Sequence, residues 1–379
     1  MSWSITGTGA VASVGANVNE IFDNLCAGLS GRRPLQVFDR SRYTSPFAYE
    51  MDDRGEESGD VPGRATRWLL AAVEQAAREA DLGDDLSGVP VIVGSGLREH
   101  RSMELWHRTG VPFDGERLHF GAALQDRFGV TEAYCVANAC AASLYALALG
   151  ADLLAEGGAP AVIVAGVDMV TESMFGLVER MNPVPPQEVR PFDRQRRGAV
   201  MGEAAVAVVL RPADSPYQGR ARATLRGVGV NCDAFHVTAP SAEGIAAAIR
   251  QAHEQAGIKP ESVDLVMLHG TGTLLNDAAE ASAMQEVFGA HVSTPVMTAI
   301  KSMTGHTSGA SGLLGLIVAA RALAEGRIPP TLGLTEPIDE VAGFRFPFGQ
   351  SLHRQVDVAQ VNAFGFGGVN AVAIVEAVR

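Results

Sequence analysis

The sequence predicts a layered α/β protein, and two observations carry that reading. Short apolar runs alternate with longer Ala- and Leu-rich stretches, the change of period expected when strands and helices follow one another. Most of the short runs carry few charges, as strands covered on both faces do. The strand candidates are Ser4–Thr6, Pro90–Val93, Ala161–Ala165, Ala204–Leu210, Ala223–Val230, Asp264–Leu268, Val296–Ile300 and Ala371–Val375. The helix candidates are Arg64–Ala80, Ala141–Ala155, Ile245–Ala256, Ala278–Val287 and Ser311–Ala324. Gly257 supplies a C-terminal stop, with Pro260 just beyond it. The tract Glu50–Gly63, with six acidic residues and Pro62, reads as a solvated excursion. Asn182–Asp193 holds four prolines and reads as irregular chain. A break near Pro212–Gly219 divides the chain into halves 1–212 and 213–379. No tandem repeat of 20–50 residues is visible.

Composition narrows the function. Of 379 residues, 47% are hydrophobic and 19% charged, which supports a large buried core and excludes wholesale disorder. The net charge of −13 disfavours a general binder of nucleic acid or anionic membrane. Only two residues are lysine, Lys259 and Lys301, against a background of arginine. The four cysteines, Cys26, Cys135, Cys140 and Cys232, are too few and too scattered for a disulfide framework. None has zinc spacing, so no metal is expected. There is no basic start of a secretory signal and no long uncharged apolar run, so a soluble cytoplasmic protein is the expectation.

Four segments could do chemistry. Cys140 stands where a strand-like stretch gives way to a helix of small residues, and a helix N-terminus favours thiolate over thiol. The plainer reading is a buried structural cysteine. His269 lies in His-Gly-Thr-Gly-Thr, where an apolar strand meets a turn; Thr271 and Thr273 add hydroxyls, and a capped turn is the plainer reading. His306 repeats the arrangement in Lys301-Ser-Met-Thr-Gly-His-Thr-Ser-Gly-Ala-Ser-Gly. Asn362-Ala-Phe-Gly-Phe-Gly-Gly-Val-Asn is a glycine-rich loop without a phosphate-binding signature. A thiol nucleophile with two histidines and a backbone-lined loop suits acyl transfer and the stabilisation of an enolate.

Taken in order, these motifs resemble the β-ketoacyl synthases of the thiolase superfamily, in the Cys-His-His condensing class. The resemblance spans nearly the whole chain. It runs from Ile5-Thr-Gly-Thr-Gly through Ala139-Cys-Ala-Ala-Ser, Arg190-Pro-Phe-Asp with Gly202-Glu, and His269-Gly-Thr-Gly-Thr with Asp277 and Glu280. It continues with Lys301-Ser-x-x-Gly-His306 and ends at Asn362-x-Phe-Gly-Phe-Gly-Gly-x-Asn. It implies a thiolase-like fold of two pseudo-repeated halves in α-β-α-β-α layers, usually dimeric, with Ala133–Ala137 pairing across the dimer axis. Cys140 would take an acyl group from a carrier protein. His269 and His306 would stabilise the enolate left when a malonyl-type extender loses CO2. Replacing either histidine would then spare loading and stop condensation. Lys301 would orient the His306 region. Backbone N–H groups of Cys140 and Phe366 would form the oxyanion hole, with Phe364, Phe366 and Gly367 on a gating loop. Thr271 and Thr273 would contact the pantetheine arm, and Arg64 and Arg67 would dock an acidic acyl carrier protein. No cofactor is implied, since phosphopantetheine arrives on the carrier as part of the substrate.

Some positions depart from the family pattern. Asn138, Ala204–Val206 and Asn276 stand where Thr or Gly is usual, Gly315 where some members have Glu, and the stretch Gly94–Val130 is short. These departures point to a specialised, polyketide-like pathway. Two other readings stay open. One is acyl transfer to an amine or alcohol without condensation. The other is a non-elongating role in a heterodimer with a chain-length-factor-like homologue; retention of Cys140, His269 and His306 argues against it. A homodimer is the default assembly.

Overall fold

The computed structural model describes residues 2–53, 60–181, 184–215 and 221–378. Residues 54–59 of the acidic tract, Asn182 and Pro183 of the proline tract, and 216–219 of the break lie outside the described residues.

Ten strands join in one mixed sheet. They are β1 (Trp3–Ala12), β2 (Val91–Gly94), β3 (Ala133–Val136), β4 (Val162–Asp168), β5 (Ala204–Pro212), β6 (Ala223–Cys232), β7 (Leu265–Met267), β8 (Val296–Thr298), β9 (Val358–Gly365) and β10 (Val369–Glu376). The spatial order is β8-β7-β9-β10-β6-β1-β5-β4-β2-β3. Read outward from the centre, the first half runs β1-β5-β4-β2-β3 and the second β6-β10-β9-β7-β8. Each strand of the first half therefore has its counterpart five strands later, which is the expected pseudo-repeat. The halves meet where Trp3–Ile5 pairs antiparallel with Ala223–Leu225.

Ten α-helices accompany the strands among the described residues: α1 (Val18–Cys26), α2 (Arg64–Glu79), α3 (His100–Thr109), α4 (Gly121–Phe128), α5 (Ala142–Ala155), α6 (Glu172–Arg180), α7 (Ala242–Ala256), α8 (Leu274–Phe288), α9 (Lys301–Thr304) and α10 (Ser311–Glu325). Three packed clusters show the layers. The first joins α2 to Val91, Val93, Ile163, Ala205, Ala207 and Val209. The second places α5 and α10 among Ile92, Val164, Val206, Met267, Val361 and Ala373. The third joins α7 and α8 to Val266, Met297, Val372 and Ile374. Alternate residues of the same strands thus face opposite layers, giving α-β-α-β-α. Helices α2 and α7 occupy equivalent outer positions and lie close on their strands. A Cβ on Gly9 would meet Ala72 O at 2.0 Å, and one on Gly229 would meet Ala248 O at 2.2 Å.

The central pair is apolar all round, as double coverage requires. With its leading turn, Ser308–Glu325 is long and apolar enough to cross a bilayer, yet 83% of it is buried in the fold. Helix α7 ends as expected, with Gly257 left-handed at φ 66°.

Two expectations need correction. The glycine-rich segment is mostly strand: Val358–Gly365 pairs antiparallel with Val369–Glu376, and only Phe366–Gly368 turns. The acidic tract, where described, is no solvated excursion. Glu50 is buried and accepts from the backbone N–H groups of Gln36 and Val37. Asp53 pairs with Arg64 and Arg67, and Asp60 with Arg101.

Candidate active site

The two central helices begin in matching ways. After β3 the chain turns through Ala139, left-handed at φ 46°, makes a 3-10 turn over Ala139–Ala141 and enters α5. Ahead of α10, Ser308 is left-handed at φ 45° and starts the 3-10 turn Ser308–Ala310. In each half a non-glycine residue three positions before the helix takes this disfavoured conformation, at a cost of about 1–3 kcal/mol. The first turn presents Cys140 and the second follows His306. The fold brings the two side chains together: His306 Nε2 lies 3.0 Å from Cys140 Sγ. Gly365, at the end of β9, permits the close approach. A Cβ there would meet Ala139 Cβ at 3.1 Å and the Cys140 nitrogen at 3.2 Å.

His269 completes the cluster from the end of β7. Its ring centroid is 5.6 Å from that of His306, the planes nearly perpendicular, and 5.6 Å from that of Phe364. Glu280, buried on α8, accepts from the backbone N–H of His269 (2.7 Å) and of Gly270 (2.8 Å) and from Asn362 Nδ2 (3.0 Å). Lys301 is also buried. Its Nζ donates to His269 O at 2.6 Å and lies 3.3 Å from His269 Nδ1. An ammonium group can only donate, so charged Lys301 leaves the ring hydrogen of His269 on Nε2. Lys301 therefore contacts His269 directly, whereas the sequence expectation linked it to the His306 region. Asp277 is the counterpart of Glu280 one turn earlier, accepting from Phe192 N at 2.7 Å and Gly272 N at 3.2 Å.

Burial dominates the electrostatics. It pushes the Cys140 thiol up to about 11, although Lys301 and the backbone N–H groups of Phe366 and Cys140 favour the charged form. His306 is lowered to about 3 by burial and by the Lys301 charge. The same two causes, with His306, hold His269 well below its ordinary value. Burial also lowers Lys301 to about 8, against the pull of Glu280. Both shifts favour a neutral thiol beside a neutral imidazole at rest. Burial thus opposes the charge on sulfur that a helix terminus favours.

The cluster opens into a cavity of about 570 Å³. Cys140, His269, His306, Thr271, Thr273, Phe364, Phe366 and Gly367 all line it, with an apolar wall that includes Leu97, Met174, Val178 and Met201. Thr271 and Thr273 hydrogen-bond each other at 2.9 Å, and Thr273 caps α8. Phe364 is buried against His269, whereas Phe366 is exposed on the turn. The Gly367 N–H donates to Val237 O at 2.8 Å and so is not available to an oxyanion in this conformation. A larger cleft of about 750 Å³ between α2 and α4 holds none of the cysteine and histidine cluster.

Arg64 corrects the docking expectation. It is buried, hydrogen-bonded to Asp53 and, through both terminal nitrogens, to Glu203 at 2.6 and 2.7 Å. That guanidinium fastens α2 to the sheet and presents no charge to a partner. Arg67 is half exposed and shares Asp53 with it.

Two further side chains gave no clear signal in the sequence. Asp168, at the end of β4, accepts from Ser95 Oγ, Gly96 N, Leu97 N and Gly309 N at 2.6–2.9 Å. It ties the turn ahead of α10 and the segment 95–97 after β2 to the end of β4, and burial raises its pKa to about 6. Ser311, the first residue of α10, places its hydroxyl 3.2 Å from His306 Nδ1.

Known proteins resemble this chain in sequence and in fold. Residues 4–215 match the family described as beta-ketoacyl synthase, N-terminal domain, and residues 222–335 match its C-terminal domain. Nodulation protein E of Rhizobium meliloti is 35% identical, over 97% of both chains. A 3-oxoacyl-[acyl-carrier-protein] synthase 2 of Synechocystis is 30% identical, over 97% of this chain and 95% of its own. The solved ishigamide ketosynthase/chain length factor superposes with a TM-score of 0.89 at 32% identity, covering 99% of each chain. Matching domains over most of the length, and the same fold in a solved relative, make this chain a member of the β-ketoacyl synthase family.

Proposed function

We propose that the protein is a β-ketoacyl-acyl carrier protein synthase, joining a Cys140-bound acyl group to a malonyl-type carrier thioester with loss of CO2. The observation that carries this reading is the close approach of Cys140 Sγ and His306 Nε2, 3.0 Å apart, with the His269 imidazole beside them in the same cavity.

In the first half-reaction, His306 Nε2 takes the thiol proton as Sγ attacks the acyl carbonyl. The backbone N–H groups of Cys140 and Phe366, which favour charge on the sulfur, receive the oxyanion. The carbonyl–pantetheine bond breaks, and the departing sulfur takes up a proton. In the second, the extender's carboxylate leaves as CO2 and its electron pair becomes an enolate. His269 Nε2–H, its tautomer set by Lys301, donates to the enolate oxygen, and His306 Nε2–H donates beside it. The carbanion attacks the acyl carbon, the bond to Sγ breaks, and Sγ regains a proton. Two neutral donors suit this step, because simple transfer to an amine or alcohol needs only one base.

Thr271 and Thr273 line the way in and supply hydroxyls to the pantetheine arm. The partner is an acidic acyl carrier protein. Dimerisation uses β3, an outer edge of the sheet that exposes Tyr134. Identities of 35% and 32% to the nodulation and ishigamide proteins, beside 30% to the Synechocystis synthase, support a specialised pathway.

The test separates the half-reactions. His269→Ala loads acyl groups at Cys140 and fails to condense. His306→Ala loads slowly as well, because Nε2 is the thiol's acceptor; this revises the expectation that either histidine could be lost without harm to loading. Normal loading of Cys140→Ala would overturn the assignment.

A further inference from the structure

The two half-reactions ask opposite things of His306. A thiol donates only to a bare ring nitrogen. For the Cys140 thiol to donate at this 3.0 Å contact and give up its proton in acylation, Nε2 must be bare and the ring hydrogen must sit on Nδ1. Once Cys140 is acylated there is no thiol hydrogen. The incoming thioester oxygen can only accept, so His306 assists it only with the hydrogen on Nε2 and Nδ1 bare.

We propose that Ser311 is a positioning residue that holds His306 in both tautomers, resting on the condensing function above. Its Oγ lies 3.2 Å from His306 Nδ1 and 3.0 Å from Thr307 Oγ1. Both hydroxyls are buried. With the hydrogen on Nδ1, the ring donates to Ser311 Oγ and Ser311 donates to Thr307. With Nδ1 bare, Thr307 donates to Ser311 and Ser311 donates to the ring. A backbone N–H or carbonyl in that place would hold one form only, because its direction is fixed. The rest of the ring's surroundings leave it free to change. His306 N donates to Val200 O at 2.8 Å and its carbonyl accepts from Gly202 N at 3.0 Å, so the backbone is pinned while the ring's two nitrogens face only Cys140 and Ser311 among the hydrogen bonds of the described residues.

The protons balance without Ser311 gaining or losing one. In acylation, the thiol proton moves to Nε2, the Nδ1 proton is released to solvent, and the departing pantetheine sulfur takes one up from solvent. In condensation, Nδ1 takes one proton from solvent as Nε2 returns its own to Sγ, which restores the resting tautomer. One proton is consumed per turn, as release of CO2 from a carboxylate requires. Ser311 only reverses its hydroxyl.

The test is nitrogen NMR of the full-length protein labelled with 15N-histidine, before and after Cys140 is blocked with iodoacetamide. His306, assigned by His306→Asn, is expected to carry its hydrogen on Nδ1 in the free enzyme and on Nε2 in the alkylated one. Ser311→Ala should broaden or mix the two forms and slow CO2 release from malonyl-carrier protein by the alkylated enzyme about tenfold, the effect of one lost hydrogen bond. Ser311→Thr, which keeps the hydroxyl, should restore both. One tautomer throughout, or a Ser311→Ala protein with unchanged tautomers and CO2 release, overturns the proposal. The tautomer readout needs no carrier protein, so it stands or falls apart from the substrate assignment.

Discussion

Ionisation of Cys140 offers a direct test of the resting state. Burial raises its thiol to about 11 from an ordinary 9.0, while His306 sits near 3. At pH 8, a thiol of pKa about 11 is ionised in roughly one molecule in a thousand, against about one in ten for an ordinary cysteine. That difference of two logarithmic units is roughly 2.7 kcal/mol. The perturbation is a pH titration from 5 to 10 of the native protein and of Cys140→Ser, followed at 240 nm, where thiolate absorbs. The difference cancels Cys26, Cys135 and Cys232. The expected difference spectrum is flat to pH 9 and rises only above it. A step between pH 5 and 7 would show a standing thiolate–imidazolium pair. It would refute the expectation that desolvation outweighs the helix terminus.

Three further outcomes follow from the same geometry. His306 has a folded pKa near 3, below the 6.5 of the unfolded chain. The unfolded state therefore binds the extra proton between those values, and the group's contribution to stability, full above pH 6.5, is lost as pH falls toward 3; the Tm of His306→Asn should fall less over pH 6.5 to 4 than that of the native protein. Arg64→Ala leaves Asp53 and Glu203 without their buried cation and should cost about 3–5 kcal/mol in denaturant unfolding, while Arg67→Ala, at a half-exposed site, should cost under about 1 kcal/mol. Gly365→Ala pushes a methyl against Ala139 and the Cys140 nitrogen, so acyl loading should slow at least about tenfold with the fold intact by circular dichroism.

Much of this was legible in the chain, and the misses have physical causes. Strands such as Val162–Asp168 and Ala204–Pro212 are buried on both faces, and their stretches 162–167 and 204–210 read as uncharged runs. Helix α7 showed its end through Gly257. Strand β9 was hidden because Gln360 and Asn362 interrupt its apolar run. Both are buried, Gln360 2.8 Å from His253 and Asn362 bonded to Glu280, satisfactions that only tertiary structure reveals. Helix α3, with His100, Arg101 and Arg108, gave too weak an apolar stripe to be noticed. The acidic tract looked solvated because carboxylates usually are; its arginine partners, Arg64 just after the tract and Arg101 41 residues from Asp60, are brought onto it only by the fold. In the site, Cys140, His269 and His306 stood out through their turns and their order. Ser311 did not, since a serine among small residues at a helix start is ordinary. Asp168 appeared only as a break in an apolar tract, and its four donors come from two segments far from it in sequence.

The most direct measurement is intact-protein mass spectrometry, mixing the enzyme with acyl-carrier thioesters and then adding malonyl-carrier protein. The account predicts acylation at Cys140, then its loss together with CO2 release and a β-keto product two carbons longer on the carrier. An acyl group that persists with the malonyl donor and discharges onto an amine or alcohol would contradict it.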